Sequence, residues 1–182
     1  MRRIVYIVLL AIFAASCAGD MQRRLGEIES MIDTDSVSAY RALLEIDSSS
    51  IKNDADRALY DLLMVEKSVK NYEPVSPALI ARANRAADYY RQRPLSPRRA
   101  DAFQYLGTTC YDAKDYPAAI RSALKAIDDA TELGDTFRMA KAHALAGDIY
   151  RMSYLVGPEL SHKRLANKFH GAHDRNSLYY IW

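Results

Sequence analysis

The chain of 182 residues carries 25 Lys and Arg against 23 Asp and Glu, so its formal net charge at pH 7 is +2. Arg2 and Arg3 account for this excess, and they lie in a segment that we expect to be removed, which leaves a formally neutral protein. A neutral domain lacks the broad positive field that nonspecific nucleic-acid binding requires. Nucleic acid is therefore excluded as an expected partner.

The first 16 residues have the organisation of a secretory signal peptide. Arg2 and Arg3 form a basic start, residues 4–15 are apolar and uncharged, and small residues lead into Cys17. The apolar run is shorter than the roughly 20 residues that a helix needs to cross a bilayer. This order predicts a cleavable signal over residues 1–16, of the general secretory rather than the twin-arginine type.

The stretch 14–17 (AASC) resembles the lipobox of bacterial lipoproteins. The resemblance implies cleavage before Cys17 and lipidation of its thiol, which would anchor the exported protein to a membrane of the cell envelope. The alternative is ordinary signal cleavage beside an incidental cysteine. Ala18, rather than an acid, follows the cysteine, as in lipoproteins sent to the outer membrane, while Asp20 leaves surface export open. Residues 17–20 would form the tether.

The rest of the chain shows the three- and four-residue apolar spacing of helices and no sustained two-residue alternation, so it predicts an all-α fold without strands. Residues 21–50 are expected to form a helical hairpin, broken by caps at 33–36. A third helix is expected over 54–69 and a fourth over about 77–92. Two prolines in the segment 93–97 end that fourth helix.

The second half of the chain repeats at a spacing of 40 residues. In the first helix of each unit, the aligned residues are Phe103, Leu106 and Gly107 with His143, Ala146 and Gly147. In the second helix, they are Pro77, Ile80, Ala83 and Ala86 with Pro117, Ile120, Ala123 and Ala126. The earlier first helix aligns better at 44, through Leu59, Leu62 and Leu63, and the extra four residues fall in the turn at 72–76.

These residues resemble the tetratricopeptide-repeat (TPR) pattern of a large apolar residue, a leucine and a small residue, followed by a second helix with small alanines. The resemblance implies an α-solenoid of about four antiparallel helical hairpins. TPR-like repeats would cover residues 51–169, in units of about 52–92, 98–132 and 135–169. A last helix is expected from Pro158 to about Phe169, and an irregular tail over 170–182.

No catalytic constellation emerges from the sequence, which contains no zinc-protease, phosphate-loop or nucleophile-elbow motif. His170, His173 and Asp174 could hold a metal ion, but a polar tail is the preferred interpretation. His143 and Cys110 lie at packing positions of the repeat. We interpret the arginine cluster at 91–99 as a solvated loop rather than a site for lipid headgroups or an acidic partner. The protein is expected to be no enzyme and to need no cofactor or metal.

The TPR resemblance implies that the first helix of each repeat lines a concave groove, which would bind a segment of a protein or peptide partner. The matching positions are Tyr60, Met64, Lys67, Gln104, Thr108, Tyr111, Asp112, Asp148, Arg151 and Met152. The leading hypothesis is thus a non-enzymatic, lipid-anchored scaffold. The alternative is the extracytoplasmic sensor module of a TPR-containing regulatory protein, truncated before its later repeats and output domain.

Overall fold

The computed structural model of the chain describes residues 20–173, which form eight α-helices and no strand. The predicted signal peptide 1–16, Cys17 and residues 174–182 lie outside the described residues. The helices are α1 over 20–31, α2 Ser36–Leu44, α3 Asp54–Lys70, α4 Pro77–Arg91, α5 Pro97–Asp112, α6 Tyr116–Leu133, α7 Thr136–Met152 and α8 Val156–His173, with a short 3₁₀ turn at Ser48–Ser50. The all-α expectation is confirmed for this part of the chain.

Most helices begin at a side chain that accepts a backbone hydrogen bond from the residue three positions later. Such a cap contributes about 1 kcal/mol by satisfying an amide that the helix cannot pair. Prolines in the first turns of α4, α5 and α6 add a backbone angle already suited to a helix. The capping residues are Asp35, Asn53, Ser76, Ser96, Asp115 and Asp135.

The last helix differs from the sequence expectation at both ends. It begins at Val156 instead of Pro158 and continues to His173, so residues 170–173 are helical rather than part of an irregular tail. Contacts with α7 explain the extension. The ring of Phe169 stacks on that of His143 with centroids 5.8 Å apart, and His170 is buried.

Consecutive helices pack as pairs, most extensively α5 with α6 and α7 with α8. Two glycines make these close approaches possible. A Cβ on Gly107 would lie 3.3 Å from the Ala123 nitrogen and 3.4 Å from the Ala119 oxygen. A Cβ on Gly147 would lie 3.5 Å from the oxygen of Glu159 and the nitrogen of Lys163. The glycines and the backbone atoms they face are all 40 residues apart, so they occupy equivalent positions in two successive pairs.

The turns within three helix pairs also share one conformation. Tyr72, Lys114 and Tyr154 adopt left-handed backbone angles, with φ of 53°, 65° and 58°. In each turn the next residue donates its N–H to the carbonyl five positions earlier, at 2.9–3.0 Å. This bond satisfies a carbonyl of the last helical turn, which would otherwise lack a partner. Gly134 builds the same turn between α6 and α7, with φ 67°.

Two apolar cores lie on opposite sides of α3. The first core joins α1 and α2 to α3 through residues such as Leu25, Leu43 and Leu63. The second extends from α3 to α7 and includes Leu62 and Phe103. Because α3 belongs to both cores, it connects the N-terminal helices to the repeated pairs. Within residues 20–173, no helix has the length and apolarity that a membrane span requires.

The arginine cluster at 91–99 is not the solvated loop expected from the sequence. Arg98 makes a two-point ion pair with Glu29 of α1, at 2.8 and 2.5 Å. Arg99 makes another with Asp129 of α6, at 2.8 and 2.6 Å. These arginines connect α5 to distant helices, which single-sequence reading could not reveal because the partner carboxylates lie 69 and 30 residues away.

Candidate functional site: a groove lined by α3, α5 and α7

A groove of about 550 Å³ lies where α3, α5 and α7 come together. The end of α3 and the following loop form one wall, α5 forms the floor, and α7 forms the other wall. The lining residues are Ser68, Val69, Tyr72, Glu73, Pro74, Val75, Leu79, Gln104, Thr108, Thr109, Tyr111, Asp112, Lys141, Ala144, Leu145 and Asp148. The first helices of successive pairs therefore supply most of this surface.

Half of the residues that the sequence placed in a groove line this one. They are Gln104, Thr108, Tyr111, Asp112 and Asp148, which come from α5 and α7. The match follows from the 40-residue spacing, since Thr108 and Asp148 occupy equivalent positions in the two helices. The prediction thus locates the floor and one wall.

The α3 residues face elsewhere. Tyr60 is 5% exposed in the core shared with α1 and α2, and Met64 packs against the same core. The guanidinium of Arg82 lies over the Tyr60 ring, 5.3 Å from its centroid. The N-terminal helices cover this face of α3, so these two positions cannot meet a ligand in the groove.

The other three predicted residues lie at the edges of the groove. Lys67 makes an ion pair with Glu73, a wall residue, and so stands behind that wall. Arg151 and Met152 belong to the last turn of α7, beyond Asp148. The Arg151 Nε lies 3.8 Å from the Asp148 Oδ1, and the Met152 side chain is exposed.

Lys141 is a half-buried cation in the α7 wall that sequence reading did not select. Its Nζ lies 5.2 Å from the centroid of the Tyr105 ring and 5.4 Å from that of Phe137. Among the described residues, no carboxylate comes within ion-pair distance of this Nζ. Burial lowers the pKa of the Lys141 ammonium, an effect that the nearby charge of Asp101 opposes. Aromatic faces thus provide part of the stabilisation that a carboxylate would normally supply.

Carboxylates occupy the opposite end of the groove. Asp112 lies at the end of α5; its side chain is exposed, yet the surrounding protein desolvates the carboxylate enough to raise its pKa. Asp148 shares its charge with Lys163 of α8, whose Nζ lies 3.5 Å from Oδ1. Burial and the charge of Asp148 raise the pKa of the neighbouring Tyr111 hydroxyl. The groove is therefore polarised, with acids near the end of α5 and a cation farther along α7.

Apolar and aromatic groups lie between these charges. Tyr72, Pro74 and Val75 project from the loop after α3, and Leu145 contributes from α7. Tyr72 is 89% exposed, although it is a large aromatic residue. Such a surface can bury apolar side chains of an extended segment or a helix while its polar rim pairs with backbone groups.

Two further sequence candidates occupy packing positions. Cys110 is buried in the larger core, and burial raises the pKa of its thiol. His143 is also buried, with its ring against those of His162 and Phe169. In the described part of the chain, no three His, Cys, Asp or Glu side chains are arranged to hold a metal ion.

Comparisons with known proteins add no relative. No protein-family model matches the chain, and neither the curated proteins nor the solved structures contain a significant match.

Proposed function

We propose that the chain is a non-enzymatic, lipid-anchored α-solenoid with TPR-like repeats, which binds a segment of a partner protein in the groove between α3, α5 and α7. The observation that carries this proposal is the repetition of one geometry. Gly107 and Gly147 face equivalent backbone atoms of the following helices. Tyr72, Lys114 and Tyr154 build equivalent turns. Repeated helix pairs that place their first helices side by side create an extended concave surface.

The chemistry of the groove supports a peptide segment as the ligand. Its volume of about 550 Å³ is open along the helices and is lined by tyrosines, aliphatic groups and charges of both signs. Tyrosines are effective contacts because they bury a large area at a small cost in side-chain entropy. A partner that places a basic side chain near Asp112 and an acidic or amide group near Lys141 would match the polarity of the groove.

A peptide-binding experiment tests the groove directly. We expect panning of a displayed random-peptide library on the protein to enrich peptides that bind the wild type. Tyr72→Ala combined with Tyr111→Ala should weaken that binding by at least about tenfold, as loss of central aromatic contacts does in other interfaces. The readout is the Kd of the recovered peptides, measured by fluorescence anisotropy.

Tyr154 provides a matched control. It occupies the same turn position as Tyr72 and is 92% exposed, but it does not line the groove. Tyr154→Ala should therefore leave the Kd unchanged. Equal losses for Tyr154→Ala and the groove variant, or enriched peptides that bind both proteins alike, would place the binding surface elsewhere.

Metabolic labelling with a radioactive fatty acid tests the anchor. Expressed in a bacterium, the wild-type chain should incorporate label into a protein that fractionates with membranes, because a lipidated cysteine needs no spanning helix. Cys17→Ser should be unlabelled, whereas Cys110→Ser, which alters the other cysteine of the chain, should label normally. Equal labelling of wild type and Cys17→Ser would refute lipidation at this residue.

A further inference from the structure

Three histidines concentrate at the contact between α7 and α8. The Nδ1 atoms of His143 and His162 are 2.8 Å apart, a hydrogen-bond distance. One ring must donate its Nδ1–H and the other must accept with an unprotonated Nδ1, so a single proton lies between them. His143 is 7% exposed. The contact therefore requires at least one neutral imidazole.

Aromatic rings enclose this pair. Phe169 stacks on His143, with centroids 5.8 Å apart and planes at 14°. Tyr150 stacks on His162, with centroids 5.4 Å apart and planes at 23°. Such surroundings exclude water from the ring faces and stabilise an added positive charge less than bulk water does.

His170 lies on the same helix and is 4% exposed. Neither of its ring nitrogens has a hydrogen-bond partner among the described residues. A neutral imidazole tolerates such a site better than an imidazolium, which would bring two unsatisfied donors and a charge into it. The α7–α8 contact thus contains three imidazoles in surroundings unsuited to their protonated forms.

The charged groups around the contact offer the histidines no carboxylate partner. On α8, Lys163 lies 3.4 Å from Glu159 and 3.5 Å from Asp148 of α7, and the Lys168 Nζ lies 5.7 Å from the Phe169 centroid. On α7, Arg151 adjoins Asp148, and Lys141 lies near aromatic rings. In the helices behind α7, Asp101 is paired with Arg138 and Asp129 with Arg99.

We propose that acidification releases α8 from α7 through protonation of His143, His162 and His170, which we call the histidine latch. A second proton on the 2.8 Å pair would place two Nδ1–H groups against each other, and the contact could not persist. Little apolar burial opposes release. Ala166 is the apolar residue of α8 that is fully buried, while Val156 and Leu160 are exposed.

The direction of the pH effect follows from linkage. Burial, and then the nearby His162, lowers the pKa of His143 to about 4, and burial lowers the pKa of His162. When α8 is released, these groups return toward the ordinary histidine value of about 6.5 and bind protons that the docked form excludes. Docking is therefore fully stabilised above about pH 6.5, and it weakens as the pH falls from there toward 4.

Hydrogen exchange of the full chain, followed by mass spectrometry and corrected for the intrinsic pH dependence of exchange, tests the histidine latch. Between about pH 7.5 and pH 5, the opening equilibrium of α8 should rise by roughly tenfold or more in the wild type. The amides of α5 and α6 are the internal reference and should change much less. His143→Gln with His162→Gln removes the proton-binding rings but keeps polar side chains, and α8 should lose most of its pH response.

A second measurement is independent of the folding of that variant. NMR titration of the wild-type imidazoles should show His143 and His162 titrating below the ordinary range. Retention of α8 protection at pH 5 in the wild type, an equal pH response in wild type and double variant, or ordinary titration of both rings would each overturn the histidine latch.

Discussion

At the scale of single residues, the two seam glycines have the same location but different neighbours. A Cβ on Gly107 would meet backbone atoms of Ala119 and Ala123 at 3.4 and 3.3 Å, which can yield only if α6 moves. A Cβ on Gly147 would meet the Lys163 Cγ at 2.9 Å, and this flexible side chain can turn aside. Equivalent glycines should therefore respond differently to the same substitution.

We expect Gly107→Ala to lower the free energy of unfolding by about 1 kcal/mol, because crowding at the α5–α6 seam exceeds the gain in helix propensity. Gly147→Ala should raise it by about 0.5 kcal/mol, since the propensity gain is opposed only by displacement of a lysine stem. Urea unfolding monitored by circular dichroism gives both values. The same change in stability for the two variants would contradict this account of the seams.

At the scale of helices, a buried carboxylate joins α3 to α4. Asp61 is completely buried and accepts hydrogen bonds from Arg82 Nη1 and Arg85 Nε, both at 2.8 Å. The arginines are partly exposed, so solvent screens the attraction, but the carboxylate itself has no access to water. The hydrogen bonds matter here more than the formal charges.

Asp61→Asn should therefore lower the free energy of unfolding by about 1–2 kcal/mol, because the amide nitrogen would face a guanidinium instead of accepting its hydrogen bond. Asp88→Asn is the control. Asp88 pairs with Arg91 at 3.0 Å on the surface of α4, where both side chains are more than half exposed. It should have little effect. Comparable losses in the two variants would show that burial does not set the strength of these pairs.

Helix positions were largely predictable, because caps and prolines mark them in the sequence. Ser76 with Pro77 and Ser96 with Pro97 each announce a helix start that the structure contains. The turns after α3, α5 and α7 were not predictable in detail. Their left-handed residues are Tyr72, Lys114 and Tyr154, whereas glycine is the usual sign of this conformation. Only Gly134 carried the expected signal.

The candidate site was predictable where the repeat is regular. Gln104 and Thr108 were identified from the repeat, and the same 40-residue spacing leads from Gln104 to Ala144, another lining residue. The wall formed by the loop after α3 was missed because four extra residues there break the alignment. Tyr60 was misplaced for a different reason: the sequence does not state which face of α3 the N-terminal helices cover.

At the scale of the whole molecule, stability should be graded along the chain. The larger core surrounds α5 and α6, the first core holds α1 and α2 against α3, and α8 contributes few buried groups. Local opening free energies follow the number of buried contacts that must be broken. The helices should therefore open in a definite order.

We expect hydrogen exchange near neutral pH to show α8 opening first, with amides at least about 2 kcal/mol less protected than those of α5 and α6. Amides of α1 and α2 should fall between. Added denaturant should merge α5 and α6 into the global transition while α8 already exchanges freely. Uniform protection from α1 to α8 would mean that the chain opens as one cooperative unit.

The shared turn conformation also bears on how such a molecule could lengthen. A copy of residues 97–135, inserted after Asp135, would place Pro97 directly behind a residue that already caps a helix. Gly134 would supply the joint at each end of the copy. Duplication of one segment would then extend the row of first helices, and with it the groove, without requiring any connection that the chain does not already possess.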